Sequence, residues 1–288
     1  GDVTLTIIEP CRYPEKLSSL FYSVSMADLA ILVIDSISAK LGETILMLNA
    51  AGIKEGAFIL RNYIDKGQIA PLMKDTVLQH YSELPDDPVV LREWLWKLAG
   101  EKKTARTTEP GSVPIDHHFN VKGIGTVILG SVMEGTIRRH DQLTVHPIGK
   151  MAQVRSIQMH DDDSAEASAG DRVGLALKGI EADDLDRGFV LSSDPRIISS
   201  LKISGAAELI PYWPQPLKEQ MILYAGHWMQ FLPCRVTSVS DDGDFRRPVI
   251  TLEFERELIY LPGSVIILHY LESEKLRIVG TIRIASAG

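Results

Sequence analysis

At 288 residues the chain can bury two or three cores of roughly 100–150 residues each, and its 45% apolar and 24% charged content is that of an ordinary globular protein. A formal net charge of −8 argues against a protein that coats nucleic acid by neutralising phosphates, though not against one that grips a structured RNA through a few placed contacts. Cys11 and Cys234 stand far apart with no CxxC pair, which excludes a disulfide framework and a thiolate metal site and points to a reducing compartment.

No apolar run approaches the ~20 residues of a membrane span; the stretch from Ala27 to Ile34 is interrupted by Asp28 and ends at Asp35. There is no basic segment followed by an apolar one, so no secretory signal is expected and the cytoplasm is the default compartment. Gly1 is not an initiator methionine, and strand-like alternation starts at Val3, so residues upstream are expected to be missing.

In chain order, Val3 to Ile8 alternates like a strand, and Ile31–Asp35 and Ala57–Leu60 are short apolar runs of the kind buried in parallel sheets. Leu17, Leu20, Phe21 and Val24 have the spacing of a core-facing helix, with Pro14 suited to its first turn. Leu41, Ile45 and Leu48 predict a second helix stopped by Gly52. Ile69, Leu72, Met73 and Val77 predict a third, and Val90, Leu91, Trp94, Leu95 and Leu98 a fourth. Such alternation implies right-handed crossovers and a parallel α/β sheet. Residues 100–112 are polar, carry Pro and Gly, and read as a linker. Beyond them the segments 113–121, 124–132, 142–147, 152–159, 172–178 and 189–192 are short, β-rich and punctuated by glycines, as in a closed barrel. A second such set follows near 203–210, 220–224, 229–239, 249–256, 264–270 and 276–284, with Asp241-Asp242-Gly243 as a turn. In the first set Gly123 and Gly125 suit a tight hairpin, and Phe119, Val121, Val127 and Leu129 are expected to point into the barrel while Lys122 and Thr126 face out.

The segment Asp116 to Gly130, DHHFNVKGIGTVILG, resembles the opening of the second domain of elongation factor Tu and SelB. Val132–Ile137, Arg155–Gln158, Ala169–Gly174, Leu177–Ile180 and Asp186–Gly188 follow in that family's order. The C-terminal set, through residues 221–239 and Leu261-Pro262-Gly263-Ser264, looks like the third domain of archaeal SelB-like factors. It lacks the arginine-rich stretch of elongation factor Tu's third domain, which points to the SelB side, and the SelB-like third domain implies an archaeal source. Ala27–Asp35 matches the third strand of the family's GTPase domain. The resemblance thus implies a multidomain α/β plus all-β protein: a degenerate, P-loop NTPase-type α/β domain over 1–99, a linker over 100–112, and two β-barrel domains over 113–196 and 197–288.

Nucleotide chemistry is eroded by the same comparison. Phosphoryl transfer needs a P-loop and a hydroxyl on Mg²⁺, and no GxxxxGK[ST] occurs in the chain. Where the family has Asp-x-Pro-Gly-His stand Glu9, Pro10, Cys11, Arg12 and Tyr13: the acid survives, but the glycine becomes Arg12 and the water-orienting histidine becomes Tyr13. Asn62 and Asp65 occupy the guanine-reading positions with Tyr63 for the packing lysine, and Ser82-Glu83-Leu84 resembles the Ser-Ala-Leu loop. A vestigial guanine site with Tyr63 stacked on the base and a plain turn after a strand are both open readings of these residues. The resemblance demands no cofactor of what remains; GTP or GDP with Mg²⁺ stays an alternative, and little or no GTP hydrolysis is expected. No HxxxH or HExxH spacing occurs, and the acidic loops at 161–163 and 183–184 are too crowded for a metal site.

In the resembling factors the aminoacyl end of tRNA lies on the second domain. Carried over by motif, this implies a site of Asp116, His117, Phe119 and Arg172. A carboxylate such as Asp116 can hold a free α-amino group, Phe119 or His117 can stack on the terminal adenine, and Arg172 offers a planar fork to a phosphate or polar aminoacyl group. Each residue also has a plain reading, as barrel surface or core, and Arg172 as the partner of Asp171 or Glu166. Arg172 replaces elongation factor Tu's asparagine, and Leu129 replaces a common threonine; a basic residue at 172 resembles SelB and implies a special aminoacyl-tRNA. Lys122, Arg138, Arg139, Arg155, Arg246 and Arg247 are candidate phosphate contacts. The implied partners are aminoacyl-tRNA and the ribosome, with neither DNA nor a membrane. The competing readings are an active translational GTPase whose P-loop precedes Gly1, and a regulatory protein that keeps the scaffold without delivering tRNA.

Overall fold

The computed structural model describes residues 5–101, 108–273 and 276–284. It divides into two compact units: Gly1–Lys103 with Leu209–Pro214 and Ile267–Thr281, and Thr104–Glu208 with Gln215–Ile266 and Ile282–Gly288.

In the first unit a parallel sheet runs in the order β1 (Ala30–Ile34), β2 (Gly56–Leu60), β3 (Ser82–Leu84). The two apolar runs singled out above thus become β1 and β2. α1 (Leu17–Ser25) buries the predicted stripe of Leu17, Leu20, Phe21 and Val24. α2 (Ala39–Ala51) begins at Ser38, whose hydroxyl accepts from Leu41 N, and ends at Gly52. It buries Ile45 and Leu48 as expected, and also Met47 and Glu43. α3 (Lys66–Met73) is shorter than its apolar stripe implied: Val77 lies in a separate 3₁₀ turn over Val77–His80. α4 (Pro88–Glu101) leaves no residue fully buried, so its stripe makes a half-covered face. The predicted first strand is corrected. Val3 lies outside the described residues, and residues 5–8 join no ladder, because β1 is an edge strand paired to β2 alone among the described residues. Leu5 and Ile7 are accordingly exposed. Pro14 lies in a turn ahead of α1, which opens after Lys16. Of the expected linker, residues 100 and 101 close α4, 102–107 lie outside the described residues, and Ser112 opens β4.

The second unit contains β4 (Ser112–Val121), β5 (Gly125–Ser131), β6 (Thr136–Arg138), β7 (Gln142–His146), β8 (Lys150–Met159), β9 (Asp162–Ser164), β10 (Glu166–Ser168), β11 (Arg172–Lys178) and β12 (Val190–Ser192). The order β11–β5–β4–β12–β7–β8 closes on itself through β11 and β8, β9 extends β8, and β6 pairs with β10 apart. Ile115, Ile128, Leu143, Val145, Val154, Ile157 and Leu175 fill the interior, each contributing on the order of 1.5–3 kcal/mol by leaving water. The expected facing of β5 is reversed. Thr126 and Ile128 point inward while Val127 and Leu129 lie on the outer face, with Phe119 of β4 beside them at 42% exposure. Two contacts explain the reversal. Thr126 Oγ1 finds a buried acceptor in Ile180 O at 2.8 Å, and Gly130 sits where a Cβ would meet Pro114 O at 2.4 Å, an approach that only glycine permits.

The second barrel closes as β13–β16–β15–β14–β17–β18, from β13 (Ile198–Leu209), β14 (Ile222–His227), β15 (Gln230–Ser240), β16 (Val249–Tyr260), β17 (Val265–His269) and β18 (Ile278–Ile284). Asp241 Oδ1 accepts from Gly243 N in the expected β15–β16 turn. Cys234 is a free thiol inside this barrel, pushed up to about 12 by burial. Within the second unit Val190 of the first barrel packs against Trp228 and Ile259 of the second, and inside the second barrel the Gln230 amide bonds both the N–H and the C=O of Ile259 at 2.8 and 2.7 Å. Among the described residues no helix is long and apolar enough to cross a membrane.

Candidate functional site

The first barrel carries its chemistry where β4 breaks register. A bulge between Ile115 and His117 leaves Asp116 the last of five buried residues before the strand emerges at His117. The Asp116 carboxylate, 5% exposed, accepts from Arg172 Nη2 at 2.9 Å and makes a short bond with Arg187 Nη2. Arg187 Nε also donates to the Asp116 carbonyl at 3.1 Å, and His117 Nδ1 lies 3.2 Å from the carboxylate. Burial would raise the Asp116 pKa; hydrogen bonds from Arg187 and Arg172, with His117 alongside, outweigh it and hold the carboxyl below its ordinary value.

One buried negative charge under two half-exposed guanidiniums leaves this spot locally cationic on a chain of net charge −8. Beside it the outer face is apolar. Phe119 pairs with Val127, His117 with Leu129, and Leu129 with Gly174 on β11, two residues from Arg172. The structure therefore brings Asp116, His117 and Arg172 into one cluster, with Phe119 further along the same exposed face. Arg172 pairs with Asp116. The carboxylate expected to meet an amino group faces two guanidiniums instead. Arg187 was missing from the predicted set. It stands in the Asp186-Arg187-Gly188 block, but 71 residues separate it from Asp116, and no local spacing links them.

The nucleotide-loop counterparts in the first unit are occupied differently. Glu9 and Arg12 are exposed. The Tyr13 hydroxyl donates to Lys40 O on α2 at 2.9 Å. Burial, partly offset by a hydrogen bond with Thr44, pushes its phenol up to about 12. Asn62 and Tyr63 are consecutive left-handed residues, with φ of 54° and 62°. Asn62 Nδ2 donates to Asp35 O at 3.1 Å, and Tyr63 is fully exposed. Asp65 caps α3, accepting from Gln68 N at 3.0 Å. Ser82 stands in β3 opposite Ala57, not in a loop. Of the candidate phosphate contacts, Arg155 donates to Ile124 O, Arg138 pairs with Glu166, and Arg246 lies 4.9 Å over the Phe245 ring.

A parallel α/β part followed by two closed barrels is the architecture that this chain shares with solved SelB structures. The family model for elongation factor Tu domain 2 matches residues 125–192. The uncharacterized protein MJ0325 of Methanocaldococcus jannaschii is 38% identical over 97% of this chain and 87% of its own length. The selenocysteine-specific elongation factor of the same organism is 45% identical over 28% of this chain and 18% of its own. Elongation factor 1-alpha of Cenarchaeum symbiosum is 29% identical over 66% of the chain, which spans about half, 52%, of that factor. Among solved structures, SelB of Methanococcus maripaludis with the GTP analogue GppNHp shares the fold at a TM-score of 0.80 and 23% identity, over 94% of this chain and 68% of that one. The chain belongs to the elongation factor Tu/SelB family of translation factors.

Proposed function

We propose that the protein is a SelB-like carrier that binds the charged end of a special aminoacyl-tRNA on the outer face of its first barrel, acts with the ribosome in the cytoplasm, and has weakened or lost GTP hydrolysis. The observation that carries the reading is the Asp116–Arg172–Arg187 cluster beside exposed Phe119. A locally positive spot next to an apolar platform suits a terminus that combines phosphates, a stackable adenine and a polar aminoacyl group. Asp116 acts as the positioning residue that aims both guanidiniums. Phe119 and His117 supply the stacking surface, and Arg172 sits where an ionised aminoacyl group would be read.

The nucleotide half of the proposal rests on the first unit. Tyr13 is a protonated phenol already donating to a backbone carbonyl, so it takes no proton from water at neutral pH. Asn62 and Asp65 spend their side chains on the chain's own backbone. These residues do not fit a hydrolytic centre.

Filter binding of charged and uncharged tRNA, each with and without GTP, tests the reading. Preference for the charged form without GTP, reduced roughly tenfold or more by Arg172→Ala, is expected. Equal binding of both forms would favour a regulator that does not deliver tRNA. Ribosome-stimulated phosphate release at the rate of an ordinary elongation factor would overturn the hydrolysis claim.

A further inference from the structure

Within the second unit, a cleft of about 460 Å³ opens between Glu109, Glu134, Arg196, His227, Trp228 and the turn over residues 261–264. It shares no residue with the Asp116 face, and its volume is that of a small-ligand site. Its hydrogen-bond inventory is unbalanced. Arg196 is engaged: Nε and Nη2 donate to the buried Asp194 carboxylate at 2.7–3.1 Å, and Nη2 also lies 3.5 Å from Glu109. The Ser264 hydroxyl accepts from Leu261 N at 3.2 Å. Among the described residues the Glu134 carboxylate makes no hydrogen bond or ion pair. Burial first, with Asp194 and Glu109 adding and Arg196 opposing, holds it above its ordinary pKa.

His227 points the same way. Burial pushes its pKa down to about 4, so the ring is neutral, with one N–H, and it is hydrogen-bonded to the Val265 backbone. Nε2 is buried and has no hydrogen-bond partner among the described residues. A neutral ring that donates to Val265 keeps a bare lone pair on that nitrogen. Trp228, stacked on His227 at 4.6 Å, adds an indole to the wall. The lining therefore sets the Glu134 carboxylate, which makes no ion pair among the described residues, the Glu109 carboxylate and a bare imidazole nitrogen beside an aromatic surface, with Arg196 turned toward Asp194 and Glu109.

We propose that this cleft binds a donor-only cation, a guanidinium or alkylammonium head, held by Glu134 and Glu109 against Trp228. Arginine and lysine side chains and polyamines carry that chemistry; neutral amides do not. The assay is the indole N–H resonance of Trp228 in the ¹⁵N-labelled full chain, assigned with Trp228→Phe. The probes are methylguanidinium, its uncharged isostere methylurea, spermidine, and a short arginine peptide with blocked ends. A saturable shift with methylguanidinium but not methylurea is expected, weakened roughly tenfold by Glu134→Gln and less by Glu109→Gln. Tighter binding of the peptide than of spermidine would assign the cleft to a partner's side chain, and the reverse order to a free polyamine. No saturable shift, an equal response to methylurea, or the same affinity in both glutamine variants would overturn the proposal.

Discussion

The loops of the α/β unit and the outer face of the first barrel both carry polar residues at positions where the resemblance places the family's motifs, and they use them in opposite directions. In the α/β unit those groups turn inward: Tyr13 to the Lys40 carbonyl, Asn62 to the Asp35 carbonyl, Asp65 to the first turn of α3. On the barrel the pairing stays at the surface. Asp116 is buried, but the two guanidiniums it aims remain 30% and 43% exposed, next to Phe119. Retained residue types therefore do not by themselves retain a site; what matters is whether a side chain turns into the fold or stays at its surface.

Substitutions can break or sharpen that contrast, and the largest effect is expected in the α/β unit. Glu43 on α2 is buried against Arg277, which donates to it through Nε at 3.0 Å and through Nη1 to the Pro14 carbonyl at 3.0 Å. Glu43→Gln leaves a partly buried guanidinium short of charge and should lower unfolding free energy by about 3–5 kcal/mol, read by urea denaturation. Preference for charged tRNA should survive in the folded fraction; its loss would mean that the α/β unit belongs to the site.

Asp116→Asn should cost about 2–4 kcal/mol at pH 7 and should also diminish tRNA discrimination. Because the folded carboxyl titrates below its ordinary value, its stabilisation is complete above the unfolded-state pKa of about 3.9 and fades as pH falls below it. The wild-type advantage over Asp116→Asn in denaturation midpoint should therefore shrink below about pH 4. A gap that widened in acid would contradict the pairing.

Phe119→Ala, at an exposed position, should leave stability within about 0.5 kcal/mol while weakening charged-tRNA binding by ~1–3 kcal/mol. The smallest effects fall on the inward-turned groups: Asp65→Ala and Tyr13→Phe should each cost about 1 kcal/mol, from a lost helix cap and a lost hydrogen bond. Neither should alter nucleotide turnover.

Much of this was legible from residue order alone. Ile31–Asp35 and Ala57–Leu60 announced buried parallel strands because such strands carry uninterrupted apolar runs. The glycine-punctuated segments likewise announced the barrels. The facing of β5 was not legible: Thr126-Val127-Ile128-Leu129 offers apolar residues to both faces, and Gly130's approach to Pro114, a tertiary contact, decides between them. Val3–Ile8 had the period of a strand, but a period does not supply a neighbour to pair with. At the site, the motif led to Asp116, His117, Phe119 and Arg172, while Arg187 joins them only through the long-range pairing of β12 with β4.

The most direct test of the barrel as a seat for the tRNA terminus is the lifetime of the aminoacyl ester itself, followed by spontaneous deacylation with the protein in excess and no GTP. The ester should be hydrolysed several-fold more slowly with wild type than in buffer, and at the buffer rate with Arg172→Ala or Phe119→Ala. An ester left unprotected by the wild type, protected only when GTP is added, or protected equally by both variants would contradict the account.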